Sequence, residues 1–314
     1  MKPEEPAVSH AIDYRHAAPA PEGTSAAARA LYLTERDFMG AALPKPIEKV
    51  LPPAVMAPQD GPIDFSAELG LPYPATLPAM LAGTHAVKAG ASVPVGEAAG
   101  GVIVLVLEGT GEFRVGDEAA TVATGDILAV PGSVGAMARG GAEGLRFYYV
   151  DDSPMARYMG WQVQPTPRIA FTHWPAALLA AKLEETKTQG ITASGVFLAH
   201  RGIEREKLAT PNLFAHLNRL APGAANTVHG HAAAAITYVI EGNEASYSLL
   251  GETLEDGAIV DPVRVDWQPG QVSLTPPNLW HGHFNDGKTD ILTLVVQLSG
   301  VYYNDRTMNF RFAA

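Results

Sequence analysis

Short apolar runs separated by glycine-containing turns recur along the chain. In the first half they are residues 80–87, 101–107, 111–115, 119–124, 127–130 and 145–150. In the second half they are residues 213–220, 236–240, 245–250, 265–268, 272–274 and 291–298. Runs of this length, bounded by such turns, are typical of strands in an antiparallel barrel or sandwich. The pattern therefore predicts an all-β protein.

Two segments depart from the strand pattern. Residues 174–189 (WPAALLAAKLEETKTQ) are rich in helix-forming side chains and end at Gly190, which predicts one helix between two domains. Prolines recur between residues 43 and 78 and favour an extended path there. The Ala- and Pro-rich N-terminus predicts a loose arm that orders only on docking, for instance against a second subunit. The predicted units are an arm, a first barrel, a linker with the helix and a second barrel, at residues 1–42, 43–160, 161–205 and 206–314.

The second half of the chain resembles the first in register. Val239-Ile240-Glu241-Gly242 aligns with Val106-Leu107-Glu108-Gly109 at an offset of 133 (241 minus 108), and Pro276 aligns with Pro131 at 145 (276 minus 131). An internal duplication explains both offsets. The second copy then carries 12 extra residues (145 minus 133), which we place within residues 251–264.

Charge and composition narrow the classes of partner. The chain has 314 residues, a net charge of -11 and no cysteine. An acidic surface argues against nucleic acid and anionic membranes, so we expect a small-molecule ligand. Without thiolates, any metal site must use His, Asp or Glu. The acidic, proline-containing N-terminus does not match a secretory signal, and we expect a cytoplasmic protein.

Four histidines lie in two short segments, HGHAAAAITYVIEG at 229–242 and TPPNLWHGHFN at 275–285. Alternate side chains of a strand share a face, so His229 and His231 point the same way, as do His281 and His283. A lone histidine in a strand is more often structural, but two such pairs at corresponding barrel positions favour a metal site. By the duplication offsets, the first copy has Gly96, Ala98, Ala136 and Ala138 at these positions. We therefore predict one metal site per chain, in the second barrel.

These motifs resemble the cupin superfamily. An HxH pair before a strand, an EG turn, a PG pair, and then a proline and a third histidine are similar to the bicupin ring-cleaving dioxygenases of the gentisate and salicylate 1,2-dioxygenase type. The resemblance implies two tandem jelly-roll barrels (double-stranded β-helices) joined by the short helix. The general cupin pattern adds a glutamate four or five residues after the second histidine, where this chain has Ala235 and Ile236. Gentisate-type enzymes lack that glutamate as well.

Carried over residue by residue, the resemblance makes His229, His231 and His281 the ligands of one Fe(II) per chain. Imidazole suits several divalent metals, so the ligand set alone leaves other metals open. His283 is left for a catalytic role beside the ligands or for structural hydrogen bonding. The resemblance implies cleavage of a hydroxylated aromatic compound by dioxygen, and it favours a homo-oligomer. A metal-dependent isomerase or lyase, or a non-catalytic ligand-binding bicupin, remains an alternative.

The substrate assignment depends on Thr237. Gentisate-type motifs have an arginine there for the substrate carboxylate, and threonine cannot form a bidentate charged contact. Either Arg219 or Arg264 compensates, or the substrate lacks that carboxylate, and both arginines also fit ordinary surface positions. Thr237 and Gln297 are predicted to line the substrate cavity. Three further histidines are predicted to lie at solvent or interface positions: His173, His200 and His216.

Overall fold

The computed structural model describes residues 22–30, 34–36, 45–164, 169–188 and 193–313. Most of the predicted N-terminal arm and the predicted helix terminator Gly190 lie outside these ranges.

The described residues form an all-β protein, as predicted. Nine strands precede the long helix: β1 (Ala54–Met56), β2 (Gly61–Ile63), β3 (Leu81–Val87), β4 (Ser92–Val95), β5 (Gly101–Val115), β6 (Glu118–Ala123), β7 (Ile127–Pro131), β8 (Ala136–Asp151) and β9 (Thr172–Trp174). Twelve follow it: β10 (Ala193–Leu198), β11 (Leu213–Leu220), β12 (His229–Gly230), β13 (Ala235–Glu241), β14 (Ser246–Gly251), β15 (Leu254–Glu255), β16 (Ala258–Ile259), β17 (Val263–Asp266), β18 (Gln271–Thr275), β19 (Trp280–Asn285), β20 (Ile291–Leu298) and β21 (Arg311–Phe312).

Helices are few and short. They are α1 (Ser66–Leu69), α2 (Ser153–Met159), α3 (Ala176–Thr188) and α4 (Gly300–Asp305), with 3₁₀ turns at Ile47–Lys49 and Arg201–Ile203. Helix α3 confirms the predicted helix between the two halves. It begins after Pro175, where the Asp126 carboxylate accepts a hydrogen bond from the Ala176 N–H at 2.8 Å. No helix in the described ranges has the length and apolar content needed to cross a bilayer.

The first barrel is filled with apolar side chains. Its sheet runs in the order β2-β3-β8-β5-β7-β9, with β4 and β6 paired to β8 and β5. Phe113 and Phe147 meet edge to face inside it, with ring centroids 5.2 Å apart. Ala136 and Ala138 are fully buried in the same cluster. Among the described residues, the interior of the first barrel around Ala136 and Ala138 is therefore apolar.

The second barrel has two facing sheets. One runs β1-β18-β13-β20-β11-β10 and the other β17-β14-β19-β12-β21. Alternate residues of the first of these sheets point out of the barrel, where they pack against the first barrel in the largest apolar core of the molecule. Tyr238 of β13 and Tyr148 of β8 meet across this interface, with centroids 4.6 Å apart. The inward face is left for the functional site.

Some segments cross the predicted boundaries. Strand β1, which the sequence assigns to the first barrel, pairs with β18 of the second. In the predicted linker, β9 extends the sheet of the first barrel by pairing with β7, and β10 extends the second by pairing with β11. Backbone groups at an exposed sheet edge bind any extended segment, so chain order does not fix the barrel that a strand joins.

Strand pairing supports the duplication. A bulge between Val106 and Glu108 recurs between Val239 and Glu241, at the offset of 133 (239 minus 106). The extra residues of the second copy contain the hairpin β15-β16, as placed from the sequence. One predicted equivalence is wrong by a residue: His229 pairs with His281, whereas Val95, not Gly96, pairs with Ala136. Gly96 follows the end of β4 with a left-handed φ of 71°, so the ungapped alignment fails at this turn.

Replacing Gly132 with alanine is expected to destabilise the first barrel strongly. An added Cβ would lie 1.7 Å from the Ala99 carbonyl oxygen, a backbone atom with no free space to move into. We expect a loss of about 3 kcal/mol or more in the free energy of unfolding, measured by denaturant titration. Gly116→Ala is the control, because nothing lies within 4 Å of its Cβ position and only its φ of 59° opposes alanine, at a cost of about 1 kcal/mol. Equal stability of the two variants would contradict the packing argument.

Candidate metal centre

Strand pairing brings three histidines together inside the second barrel. His229 on β12 lies directly opposite His281 on β19, and His231 follows β12 by one residue. One ligand atom from each of these three imidazoles lies within 4.8 Å of the others. His281 and His231 are almost fully buried, while His229 is partly exposed at the rim. The cluster is therefore held by neighbouring strands and opens to one side.

The three imidazoles are oriented by backbone carbonyls. The Nδ1 atoms of His229, His231 and His281 lie 2.8, 2.8 and 3.0 Å from carbonyl oxygens located two residues away, at Thr227, Ala233 and Leu279. A carbonyl only accepts, so each Nδ1 carries the proton and donates it. Each Nε2 is then left with a free lone pair. Ligand imidazoles in proteins are commonly fixed by this kind of contact.

The imidazoles are held neutral. Burial lowers the pKa of His229 below its ordinary value. Burial also lowers the pKa of His231 to about 4, with a further contribution from the neighbouring His229. The pKa of His281 falls well below its usual range for the same reasons. Unprotonated nitrogens at neutral pH are the state that metal binding requires.

This donor set fits a divalent cation. Three neutral imidazoles supply three nitrogen ligands and no negative charge, and no carboxylate joins them in the described part of the chain. The positions four and five residues after His231 hold Ala235, whose side chain is buried, and Ile236, which points into the interface between the barrels. A cation held by three neutral nitrogens keeps its full charge and has coordination positions free for anionic oxygen ligands.

His283 lies behind the three. Its ring centroid is 5.7 Å from that of His281 and 6.3 Å from that of His229. Its Nδ1 lies 2.8 Å from the Ser248 hydroxyl on the neighbouring strand, and its ring packs against Trp267. Burial and the nearby imidazoles lower its pKa to about 3. His283 is thus a neutral, hydrogen-bonded neighbour of the cluster and is not part of it.

The inward face of the larger sheet lines the cavity beside the histidines. Val295 on the central strand β20 is flanked by Thr237 on β13 and by His216 on β11. The Thr237 side chain is 2% exposed. One step along, the Thr293 hydroxyl and the His216 Nδ1 are both buried and have no hydrogen-bond partner among the described residues. Buried polar atoms of this kind are suited to binding a ligand.

The prediction for His216 is wrong. It lies inside the barrel, where its ring packs against those of Phe197 and Phe214, and burial together with His229 lowers its pKa to about 4. The signal was present in the sequence, since LFAHLNRL puts His216 and Asn218 on one face of a strand whose other face begins with three apolar residues, Leu213, Ala215 and Leu217.

Gln297 lies where the sequence predicts, in the cavity. Its Nε2 is 3.4 Å from the Nε2 of His231, and its Oε1 accepts a bond from the Ser299 hydroxyl at 3.4 Å. It pairs with Phe214 and Ala235 on the adjacent strands. Its amide can therefore reach a molecule bound at the cluster.

Neither predicted compensating arginine faces the cavity. Arg219 is buried on the outward face of β11, 3.2 Å from Asp290 and 3.1 Å from the Ser194 hydroxyl. Arg264 is exposed on β17, where it pairs with Asp266 at 2.8 Å and stacks over Tyr247. Strand parity turns both side chains away from the cavity face of the barrel.

The C-terminal strand β21 was missed at the sequence level. It pairs with β12 and brings Phe312 opposite His229. The Phe310 ring lies 5.5 Å from the His231 ring, and the Phe312 ring lies 6.1 Å from the His229 ring. Both phenylalanines are exposed, at 45% and 64%. A two-residue strand at the end of a chain has no periodicity to reveal it.

The comparisons with known proteins agree with this geometry. Residues 216–297 match the family model described as the cupin domain, and this range contains all four clustered histidines. Residues 216–297 therefore carry a cupin domain. Among curated relatives, a gentisate 1,2-dioxygenase of Ralstonia sp is 31% identical over 144 residues, 45% of this chain and 37% of the relative. Gentisate 1,2 dioxygenase 1 of Aquipseudomonas alcaligenes is 31% identical over 91 residues, 29% of this chain and 23% of the relative. The chain thus spans well under half the length of either relative.

Solved structures extend the likeness to both barrels. Salicylate 1,2-dioxygenase from Pseudaminobacter salicylatoxidans superposes with a TM-score of 0.60 at 12% identity, covering 75% of each chain. Its adducts with gentisate give a TM-score of 0.63 at 12% identity, covering 81% of this chain and 77% of that one. An oxalate decarboxylase gives 0.52 at 15% identity, covering 78% and 75%. At these identities the likeness concerns the fold, which is that of a bicupin.

Proposed function

We propose that this bicupin is an Fe(II)-dependent dioxygenase that cleaves the ring of a hydroxylated aromatic compound. The observation that carries the proposal is the ligand set: three neutral imidazoles with unprotonated Nε2 atoms, and no carboxylate beside them among the described residues. The partial identity to two gentisate dioxygenases supports the same class of reaction.

His229, His231 and His281 would hold the ion. When bound, iron supplies the redox chemistry that activates dioxygen and the charge that attracts a phenol oxygen or a carboxylate. An uncompensated charge in a buried cavity favours an anionic ligand, because its electrostatic attraction is weakly screened there.

The surrounding residues would position the substrate and its protons. The neutral His283, oriented by Ser248, can form a hydrogen bond with a substrate hydroxyl. The Gln297 amide, the Thr237 and Thr293 hydroxyls and His216 offer hydrogen bonds at the sides of the cavity. Val295 and Phe214 supply apolar contact for a ring and exclude water. The site therefore combines hydrogen bonds for the ring substituents with an apolar wall for the ring.

The test is oxygen uptake after anaerobic reconstitution with Fe(II), on a panel of gentisate, salicylates, hydroxynaphthoates and catechols. With at least one of these compounds we expect the protein to consume dioxygen and substrate in equal amounts, because both oxygen atoms enter the ring-opened product. Metal content should be about one iron per chain, and two tightly bound ions would contradict the apolar first barrel.

Turnover without oxygen uptake would contradict the dioxygenase and favour an isomerase or lyase of the same fold. Tight binding of a compound on the panel without any turnover would instead favour a non-catalytic binding protein.

A further inference from the structure

A large cavity lies at the end of the second barrel, next to the histidines. Its volume is about 910 Å³, within the range of small-molecule sites. Its walls come from strands β10 and β11, the loop between them, helix α4 and the segment after it, and they include Phe197, Phe214, Tyr302 and Phe310. We call it the α4 chamber.

Two aromatic side chains connect the α4 chamber to the metal cluster. Phe310 lines the chamber, and its ring lies 5.5 Å from that of His231. Phe214 also lines it, and its ring lies 5.2 Å from that of His216 inside the barrel. Phe214 pairs with Gln297, whose amide is beside His231. A flat molecule can thus contact these rings and reach towards the Nε2 atoms of the cluster.

The chamber carries positive charge on an acidic protein. Its lining includes the cations Arg205, Lys207 and Arg306 and a single acidic residue, Glu206. The three cations are exposed and form no ion pair in the described part of the chain. Because the whole protein has a net charge of -11, an anionic ligand is repelled over most of the surface. A local excess of cations reverses that repulsion at the chamber.

Two of these cations occupy backbone positions that suit glycine. Arg306 ends helix α4 with a left-handed φ of 62°, and Lys207 has a φ of 56°. A side chain in this conformation costs about 1 kcal/mol relative to glycine. Local stability therefore opposes an arginine and a lysine at these two positions. Unfavourable backbone conformations retained around one cavity point to a function of the side chains.

We propose that the α4 chamber binds the carboxylate of an aromatic acid through Arg306 and Lys207, with its ring against Phe310. This assignment rests on the proposed function for its reaction. It gives the site cationic side chains for a carboxylate, a role that an arginine at the position of Thr237 has in gentisate-type motifs. The substrate class is then an aromatic acid whose carboxylate lies towards the chamber while its hydroxyl lies towards the histidines.

The experiment measures binding without turnover. The probes are 2-naphthoate and its neutral amide, 2-naphthamide, titrated into the iron-loaded protein under anaerobic conditions by calorimetry. The variants are Arg306→Gly, Lys207→Gly and the double variant, which relieve the backbone cost and should unfold at the wild-type temperature or above. Asp256→Gly is the matched control, since Asp256 has a φ of 48° in the β15-β16 hairpin, away from the chamber.

We expect the double variant to weaken 2-naphthoate binding about tenfold or more, from the loss of two charged contacts, and to leave 2-naphthamide binding within about twofold of the wild type. The control should bind both probes like the wild type. Unchanged naphthoate affinity in the double variant, an equal loss for the amide, or no naphthoate binding by the wild type would each overturn the proposal.

The outcomes separate this proposal from the dioxygenase. If naphthoate affinity depends on Arg306 but no aromatic compound drives oxygen uptake, the carboxylate site stands and the dioxygenase fails. If oxygen is consumed with the same KM in the wild type and the double variant, the dioxygenase stands and the carboxylate site fails.

Discussion

Replacing His281 with alanine is expected to remove the metal and abolish activity. Its Nε2 is one of three convergent nitrogens, and its buried position leaves no other described residue able to take its place. Loss of one ligand should cost about 3 kcal/mol or more in metal affinity, on the order of a hundredfold or more. Metal content after dialysis, measured by atomic emission, should fall from about one ion per chain to less than about a tenth. Activity should fall with metal content.

Two control variants sharpen this result. His173→Ala removes an imidazole that pairs with Asp126 at 2.9 Å at the edge of the first barrel, and it should keep the metal. His283→Ala should also keep the metal while lowering turnover, because His283 contacts Ser248 beside the cluster. Retention of metal by His281→Ala, with a normal circular dichroism spectrum, would show that the three-histidine cluster is not the binding site.

Acidification is expected to destabilise the metal-free protein steeply below pH 6.5. Burial lowers the pKa of His216 and His231 to about 4 and that of His283 to about 3, and it lowers the pKa of His281 well below its usual range. The unfolded chain binds protons at these imidazoles near pH 6.5, whereas the folded protein does not until about pH 4 or below. The stabilisation is therefore fully present above pH 6.5 and is lost as the pH falls towards the folded values.

Two buried carboxyls oppose this trend. Burial raises the pKa of Asp151 to about 6 and also raises the pKa of Asp152, so the folded protein binds protons there before the unfolded chain does, and this contribution to stability grows as the pH falls. The four buried imidazoles outnumber the two carboxyls, so the free energy of unfolding should still fall as the pH drops from 6.5 to 5. The slope should be on the order of 1.4 kcal/mol per pH unit for each net proton.

Denaturant titrations at pH 7, 6 and 5 measure this slope. His216→Gln keeps a polar side chain of similar size and should reduce the slope by about one proton, which assigns the effect to the buried imidazoles. A flat profile between pH 7 and 5 would mean that the imidazoles are charged or solvated in the folded state. Bound metal should raise the whole wild-type profile without flattening it, because the metal-bound imidazoles carry no proton while the unfolded chain still takes up protons.

The parts of the fold predicted from sequence are those that depend on local interactions. Residues 213–220 and 291–298 are strands with the predicted bounds, because their apolar content and the flanking turns leave one solution. The parity of His281 and His283 and the neutrality of the ligand set also follow from residues close in sequence. The duplication located the hairpin β15-β16, since an insertion shows as a change of offset.

The parts that failed depend on contacts distant in sequence. Arg219 was a candidate for the cavity, and its outward direction was settled by Asp290 across the sheet. Both faces of β11 are buried, one between the barrels and one inside the second barrel. The apolar content of the strand therefore did not show which face points inward, and the inward position of His216 was missed. The ungapped alignment matched Gly96 to His229, but Val95 is the residue that pairs with Ala136. The alignment failed because Gly96 lies in a left-handed turn, which shifts the register by one residue.

By itself, the sequence determined that the second copy has the histidines and the first does not, because residue types and the alternation of side chains along a strand follow directly from the order of residues. Tertiary structure alone decided which residues surround those histidines. Strand β21 pairs with β12 and brings Phe310 and Phe312 close to the histidines. Arg306 and Lys207, which are about a hundred residues apart in sequence, line one cavity. Such contacts carry no periodic signal along the chain, so only the folded barrel reveals them.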